Sequence, residues 1–109
     1  MDRTDVVRRC YEAYETGDRS ALEPLLADGF SFTSPADIGI GVDTYWERCW
    51  PANETTRSFE FVRLAEIGDE VVVTYEAEKT DGRRFRNTEV FGFDGDRVKT
   101  VEVYFGWDL

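Results

Sequence analysis

The second half of the chain is a succession of alternating apolar and polar residues, broken three times by turn chemistry, and few folds can absorb that pattern. Strands are expected at roughly Arg57–Ala65, Glu70–Lys79, Arg83–Phe93 and Arg97–Phe105, because residues two apart line one face of a strand. Between them stand Gly68-Asp69, Asp81-Gly82 and Asp94-Gly95-Asp96, connections of hairpin length whose residues tolerate tight-turn backbone angles. Four strands joined this closely make an antiparallel meander. One face of such a sheet needs a second layer to cover it.

The first half supplies that layer. From Thr4 to Thr16, residues Val6, Val7, Cys10, Ala13 and Tyr14 recur at three- and four-residue spacings, the stripe of an amphipathic helix with Thr4 or Asp5 near its cap and Gly17 as its stop. Asp18 opens a second helix with Ser20 and Glu23 at capping-box spacing, Pro24 in its first turn, Leu22, Leu25 and Leu26 on its buried face, and Gly29 at its end. A short strand, Phe30–Ser34, precedes Pro35 and a loop containing Gly39 and Gly41. Asp43 then caps a third helix over Thr44–Trp50, with Trp46 and Trp50 one turn apart and Pro51 and Asn53 closing it. With no linker, repeat or low-complexity stretch, residues 1–109 read as one α+β domain with helices on one face of the sheet.

The charge balance narrows the partners. Against 13 basic residues stand 23 acidic ones, a net charge of -10, so the surface repels phosphate backbones and nucleic acid is not an expected partner. Lysine occurs only at Lys79 and Lys99; an acid-rich, lysine-poor surface fits a cytoplasm of high salt, although a G+C-rich genome also favours arginine. There is no histidine and no CxxC, so Cys10 and Cys49 read as buried reduced thiols, with neither metal nor redox cofactor expected. No apolar run approaches membrane-spanning length, and the opening MDRTDVVRR lacks a signal-peptide core. A cytoplasmic protein is expected.

The order of elements carries three phrases: Tyr14-Glu15-Thr16-Gly17-Asp18, Phe32-Thr33-Ser34-Pro35, and Phe91-Gly92-Phe93-Asp94-Gly95-Asp96-Arg97-Val98. With Gly41 and an aromatic helix between them, they resemble the nuclear transport factor 2-like superfamily, in its SnoaL-like branch, over nearly the whole chain. The resemblance implies a cystatin-like cone, a curved, mostly antiparallel sheet wrapped around N-terminal helices, with an open-ended pocket inside and a homodimer formed on the outer sheet face. Members include ketosteroid isomerase, polyketide cyclases, dehydratases and proteins that only bind, so the fold alone selects no chemistry. Aligned with ketosteroid isomerase, Cys10 falls where that enzyme carries its oxyanion tyrosine and Ser34 where it carries its general-base aspartate. A thiol is a weak donor and a serine hydroxyl is no base at neutral pH, so that mechanism is not expected. Glu89 alone keeps a carboxyl, in place of the second pocket aspartate.

Alternation lists the pocket residues independently: if Glu89 faces inward, so do Phe85, Asn87, Phe91 and Phe93. On the preceding strand, the resemblance places Val72, Thr74 and Glu76 inward and Val71, Val73 and Tyr75 outward, so that Glu76 and Glu89 meet near the pocket. On the last strand it places Val101, Val103 and Phe105 inward, with Tyr104 outward beside Tyr75, Val71 and Val73 in a two-fold interface. Glu89 is then the candidate catalytic acid or base, since an apolar cavity raises a carboxyl pKa; the alternatives are an ion pair with Arg84 or Arg86 and, for Glu76, a solvated rim position. Asn87 can orient a substrate oxygen or simply satisfy backbone; Tyr14, Trp46 and Trp50 offer an aromatic wall or ordinary core; Ser34 lies at the mouth or forms a turn. Three functions fit: a cofactor-independent isomerase, cyclase or dehydratase acting through Glu89, a module binding a small hydrophobic or cyclic metabolite, or a dimeric interaction domain whose pocket is filled by Trp46, Trp50 and Phe91.

Overall fold

The computed structural model describes all residues 1–109. Helix α1 (Arg3–Thr16) runs further toward the N-terminus than the apolar stripe suggests, because Asp2 caps it: its Oδ1 accepts from the amide of Asp5 at 3.0 Å and from the Thr4 hydroxyl at 2.6 Å. Gly17 ends it at φ 68°, a left-handed conformation that glycine adopts without steric cost. The buried side of α1 is Val6, Val7, Cys10, Tyr11 and Ala13.

The second helix is much shorter than its leucines suggest. Helix α2 covers only Arg19–Leu22, and Pro24 sits in a single 3₁₀ turn, Glu23–Leu25. The chain then becomes strand β1 (Leu26–Thr33), which absorbs the segment expected to finish the helix. The reason is tertiary: Leu26 and Ala27 are buried, and Leu26 pairs with Val98 across a parallel ladder, so they cover the core as strand rather than helix residues. Gly29, expected as a helix stop, lies inside β1 at φ 74°, where the register slips between Leu26 and Ser31. Helix α3 spans Val42–Arg48 with Gly41 rather than Asp43 at its cap, and a 3₁₀ turn, Trp50–Glu54, follows.

Strands β2 (Thr56–Ile67), β3 (Glu70–Lys79), β4 (Arg84–Asp94) and β5 (Arg97–Asp108) form the expected meander, with β2 and β5 longer than their sequence pattern indicates. The five-stranded sheet has the order β1-β5-β4-β3-β2, antiparallel except where β1 lies parallel to β5. Register breaks interrupt β2 and β5 between Phe61 and Arg63 and opposite Arg86/Asn87, and a bulge of this kind bends and twists the strand that carries it. A mixed α+β cone results, its helices against the concave face. Val6, Val7, Leu22, Val71, Val73 and Val98 are almost wholly shielded from solvent at its centre.

Facing on β3 is the reverse of the expected one. Val73 pairs with Glu89 and Tyr75 with Asn87; paired residues share a face, so Val71, Val73, Tyr75 and Ala77 point into the cone, where all four are buried. Val72, Thr74 and Glu76 belong to the convex face. A one-residue slip inverts a whole strand. The expected interface patch therefore loses Val71, Val73 and Tyr75 to the core, while Tyr104 stays exposed. No helix is long and apolar enough to cross a membrane.

Candidate functional site

Inside the cone, between the concave sheet and α1, β1 and α3, lies a cavity of about 290 Å³, most of whose wall is hydrophobic. That is near the lower end of the usual range for small-molecule sites. Leu22, Leu26 and Phe30 close one side of the hollow, and Phe59, Phe91, Val101 and Val103 line the sheet side.

Two carboxyls, Glu89 and Asp37, interrupt this surface. Glu89 is surrounded by protein yet remains in contact with the hollow. Tyr11, from α1, donates its hydroxyl to Glu89 Oε1 at 2.8 Å, and Tyr75, from β3, donates to Oε2 at 2.7 Å. Burial raises the carboxyl above its usual pKa; the hydroxyls of Tyr75 and Tyr11 pull it down without cancelling that effect. The phenols respond in kind. Burial, then the nearby Glu89 charge, push Tyr11 and Tyr75 well above the ordinary tyrosine value, so both act as neutral donors.

Asn87 stands next to this trio. Its Oδ1 accepts the Gly106 amide at 3.0 Å, which turns its Nδ2 toward the Tyr75 hydroxyl, 3.4 Å away. Gly106 is required there for space: a Cβ at this position would come within 2.0 Å of the Arg86 carbonyl oxygen. A second polar pair lies on the helical side, where the hydroxyls of Tyr14 and Tyr45 are 2.5 Å apart. At the mouth, Arg48 Nε donates to Asp37 Oδ1 at 2.5 Å, and the buried Ser34 Oγ accepts the amides of Ala36 and Asp37 at 3.1 and 3.2 Å.

Of the residues expected at a site, Glu89, Asn87, Phe91, Val103, Phe105, Tyr14 and Ser34 do border the cavity, Phe105 at its rim with 58% of its surface exposed. Ser34 both borders the hollow and forms a turn. Four others do not line it. Thr74 is on the convex face, its hydroxyl 2.8 Å from that of Thr88. Glu76 is there too, paired with Arg84 at 3.0 Å and with Arg86; the Arg86 contact foremost holds its carboxyl below the usual range. Glu76 and Glu89 thus stand on opposite faces of the sheet, and neither Arg84 nor Arg86 pairs with Glu89. Trp46 packs beneath the Arg19 guanidinium and against Trp50, and Trp50 meets the Tyr14 ring edge-on, so both support the wall from behind.

Three tyrosines carry polar chemistry not expected at the pocket: Tyr11 and Tyr45, to which the sequence pattern assigns no role, and Tyr75, which the resemblance places outward. Tyr11 stands next to Cys10, whose thiol burial pushes up to about 12; Cys49 rises to about 11, chiefly through partial burial. Neither thiol is a nucleophile at neutral pH.

These features coincide with a family. Residues 7–101 match the SnoaL-like domain, and the chain belongs to the SnoaL-like family. It superposes with a TM-score of 0.76 on an NTF2-like protein of unknown function from Cytophaga hutchinsonii, at 20% identity over 97% of this chain and 91% of that one. A candidate polyketide cyclase from Sinorhizobium meliloti gives 0.74 at 20% identity, over 92% and 94%. A candidate ketosteroid isomerase from Kribbella flavida gives 0.77 at 14% identity, over 95% and 77%. Identities this low establish the cone and leave the chemistry to the site. No curated protein matches the chain.

Proposed function

We propose that this protein binds a small, largely apolar cyclic metabolite within the cone and that Glu89 moves a proton on it. The supporting observation is a carboxyl on a mostly apolar wall, paired with no cation, raised in pKa and gripped on both oxygens by phenols. A carboxylate oxygen has about two acceptor sites, so one phenol on each leaves room for a substrate proton. In the step, a C–H bond next to a carbonyl breaks, its proton passes to Glu89, and the electron pair moves onto the carbonyl oxygen as an enolate. Where a C=C bond adjoins the carbon that lost the proton, the enolate extends over it, and return of the proton to the far carbon of that bond completes an isomerisation that shifts the double bond into conjugation with the carbonyl. Asn87 holds Tyr75 in place and keeps one N–H for a ligand oxygen.

The test is exchange of the α-protons of α-tetralone in deuterium oxide, followed by NMR. Wild-type protein accelerates exchange over buffer and E89Q does not, although E89Q still binds the ketone. Equal rates with wild type and E89Q would refute the catalytic role. A second reading, a binder without chemistry, is favoured by the same two phenols, which satisfy the carboxyl as a structural group would be satisfied; ketone binding without any exchange supports it. As part of the same proposal, two copies pair through the convex face, where Tyr104 and Trp107 are 53% and 61% exposed. A monomer at micromolar concentration in sedimentation equilibrium contradicts that pairing.

A further inference from the structure

Tyr14 and Tyr45 bring two phenol protons to one point of the cavity wall. Their hydroxyls are 2.5 Å apart, and neither makes another hydrogen bond in the protein. One proton bridges the pair. The other has no acceptor within the protein, although the two rings stand in a mostly apolar wall where an unmet donor is costly. Burial holds both phenols protonated well above the usual tyrosine value.

Aromatic rings surround the pair. Phe30, Phe32 and Trp46 pack around the Tyr45 ring at centroid distances of 5.1, 5.4 and 5.3 Å, and Trp50 packs edge-on to Tyr14 at 4.8 Å. A hydroxyl that itself receives a hydrogen bond is a stronger donor than a lone one, through mutual polarisation. On α1, Tyr14 lies three residues beyond Tyr11, a rise of roughly 4.5 Å at helical pitch. The spare phenol proton and the Glu89 cluster are therefore neighbouring but separate polar points on one apolar wall, and the Phe59 ring packs against both Tyr11 and Tyr14.

We infer that the Tyr14–Tyr45 pair is a recognition site for one neutral acceptor oxygen, a ketone or enone carbonyl of a small cyclic ligand, whose neighbouring carbons then lie toward Glu89. This deepens the Glu89 reading and rests on it for the reaction, but not for the binding. The pair is a binding and positioning element, formed by residues from α1 and α3.

The experiment compares α-tetralone with tetralin, the same bicycle without the carbonyl, by calorimetric titration of wild type, Y14F, Y45F and Y14F/Y45F. A hydrogen bond of ordinary net strength corresponds to roughly two- to tenfold in affinity. Wild type should prefer the ketone by about that factor, each single variant should lose part of the preference, and the double variant should bring the ratio close to one while tetralin affinity is unchanged. In the wild type alone, the labelled ketone carbonyl should shift downfield in NMR relative to hydrocarbon solvent, which tests the contact even if a variant folds poorly. A ratio near one in wild type, an unaltered ratio in the double variant, or no binding of either compound overturns the inference. The two proposals separate cleanly: E89Q abolishing exchange while the ketone preference is absent removes this one alone, whereas a preference that depends on both tyrosines with exchange indifferent to E89Q removes the other alone.

Discussion

Replacing Glu89 by glutamine should stabilise the protein, and increasingly so as pH rises. The unfolded carboxyl titrates near its reference value of 4.5, and the folded one titrates higher because burial opposes its charge. Below both values the two states hold the proton equally and the carboxyl contributes no pH dependence. Between them the unfolded chain has released a proton that the folded chain keeps, so stability falls as pH increases, and it levels off once the folded carboxyl ionises. Each pH unit between the two values corresponds to about 1.4 kcal/mol. Glutamine fills the same volume, carries no charge, and can accept from one phenol while donating to the other.

Urea unfolding of both proteins from about pH 4 to about pH 8 gives the difference directly, since every other titrating group is shared and cancels. The difference should be small at the acid end. It should then grow in favour of E89Q by about 1.4 kcal/mol for each pH unit separating the folded and unfolded midpoints, with roughly 4–8 °C in Tm per kcal/mol for a domain of this size. A difference that stays flat, or that turns toward the wild type as pH rises, would show that Glu89 is well solvated and that its place on the cavity wall is wrong.

Other outcomes follow from the same geometry. Y11F or Y75F removes one donor to the carboxylate, so the pH at which the wild-type stability curve levels should move upward in each; an unmoved plateau contradicts the grip described for Glu89. G106A forces a Cβ to within 2.0 Å of the Arg86 carbonyl and, as overpacking, should cost about 1–3 kcal/mol in urea unfolding. E76Q should leave ketone exchange untouched, because Glu76 and its partners Arg84 and Arg86 stand on the convex face, across the sheet from Glu89; exchange that falls with E76Q contradicts that placement. With a net charge of -10, a protein adapted to salt should gain Tm steeply from dilute buffer to molar salt; a flat profile points instead to genome composition behind the scarcity of lysine.

Much of the cone was legible because its turns are chemically explicit. Asp81-Gly82 and Asp94-Gly95-Asp96 demand tight reversals, and the alternation from Phe85 to Phe91 identifies an inward face without any alignment. Strand β3 was harder to read. Val71-Val72-Val73 gives no apolar alternation, and the facing carried over from the resemblance was out by one residue. A signal was present: Glu70, Thr74, Glu76 and Glu78 all fall on one parity, which marks the convex face. Tyr11 falls outside the narrow stripe of Val6, Val7, Cys10, Ala13 and Tyr14 yet lies four residues beyond Val7, and a buried helix face is commonly wide enough to include it. In α3, the i,i+4 spacing of the tryptophans suggests that they form the inward face, but the helix ends at Arg48, and packing against Phe30 and Phe32 of β1 turns Tyr45 inward instead. The conversion of Leu26–Gly29 from helix to strand depends on pairing with β5, a contact some seventy residues away that no local pattern encodes.

One titrating group that a ligand can reach from inside the cone underlies the proposed function, and NMR titration of protein labelled at its glutamate carboxyls observes that group directly, with the Glu89 signal assigned by its loss in E89Q. The predicted result is a midpoint above 4.5 and a signal that moves when α-tetralone is added. A midpoint at or below that value, with a signal indifferent to the ketone, would contradict it.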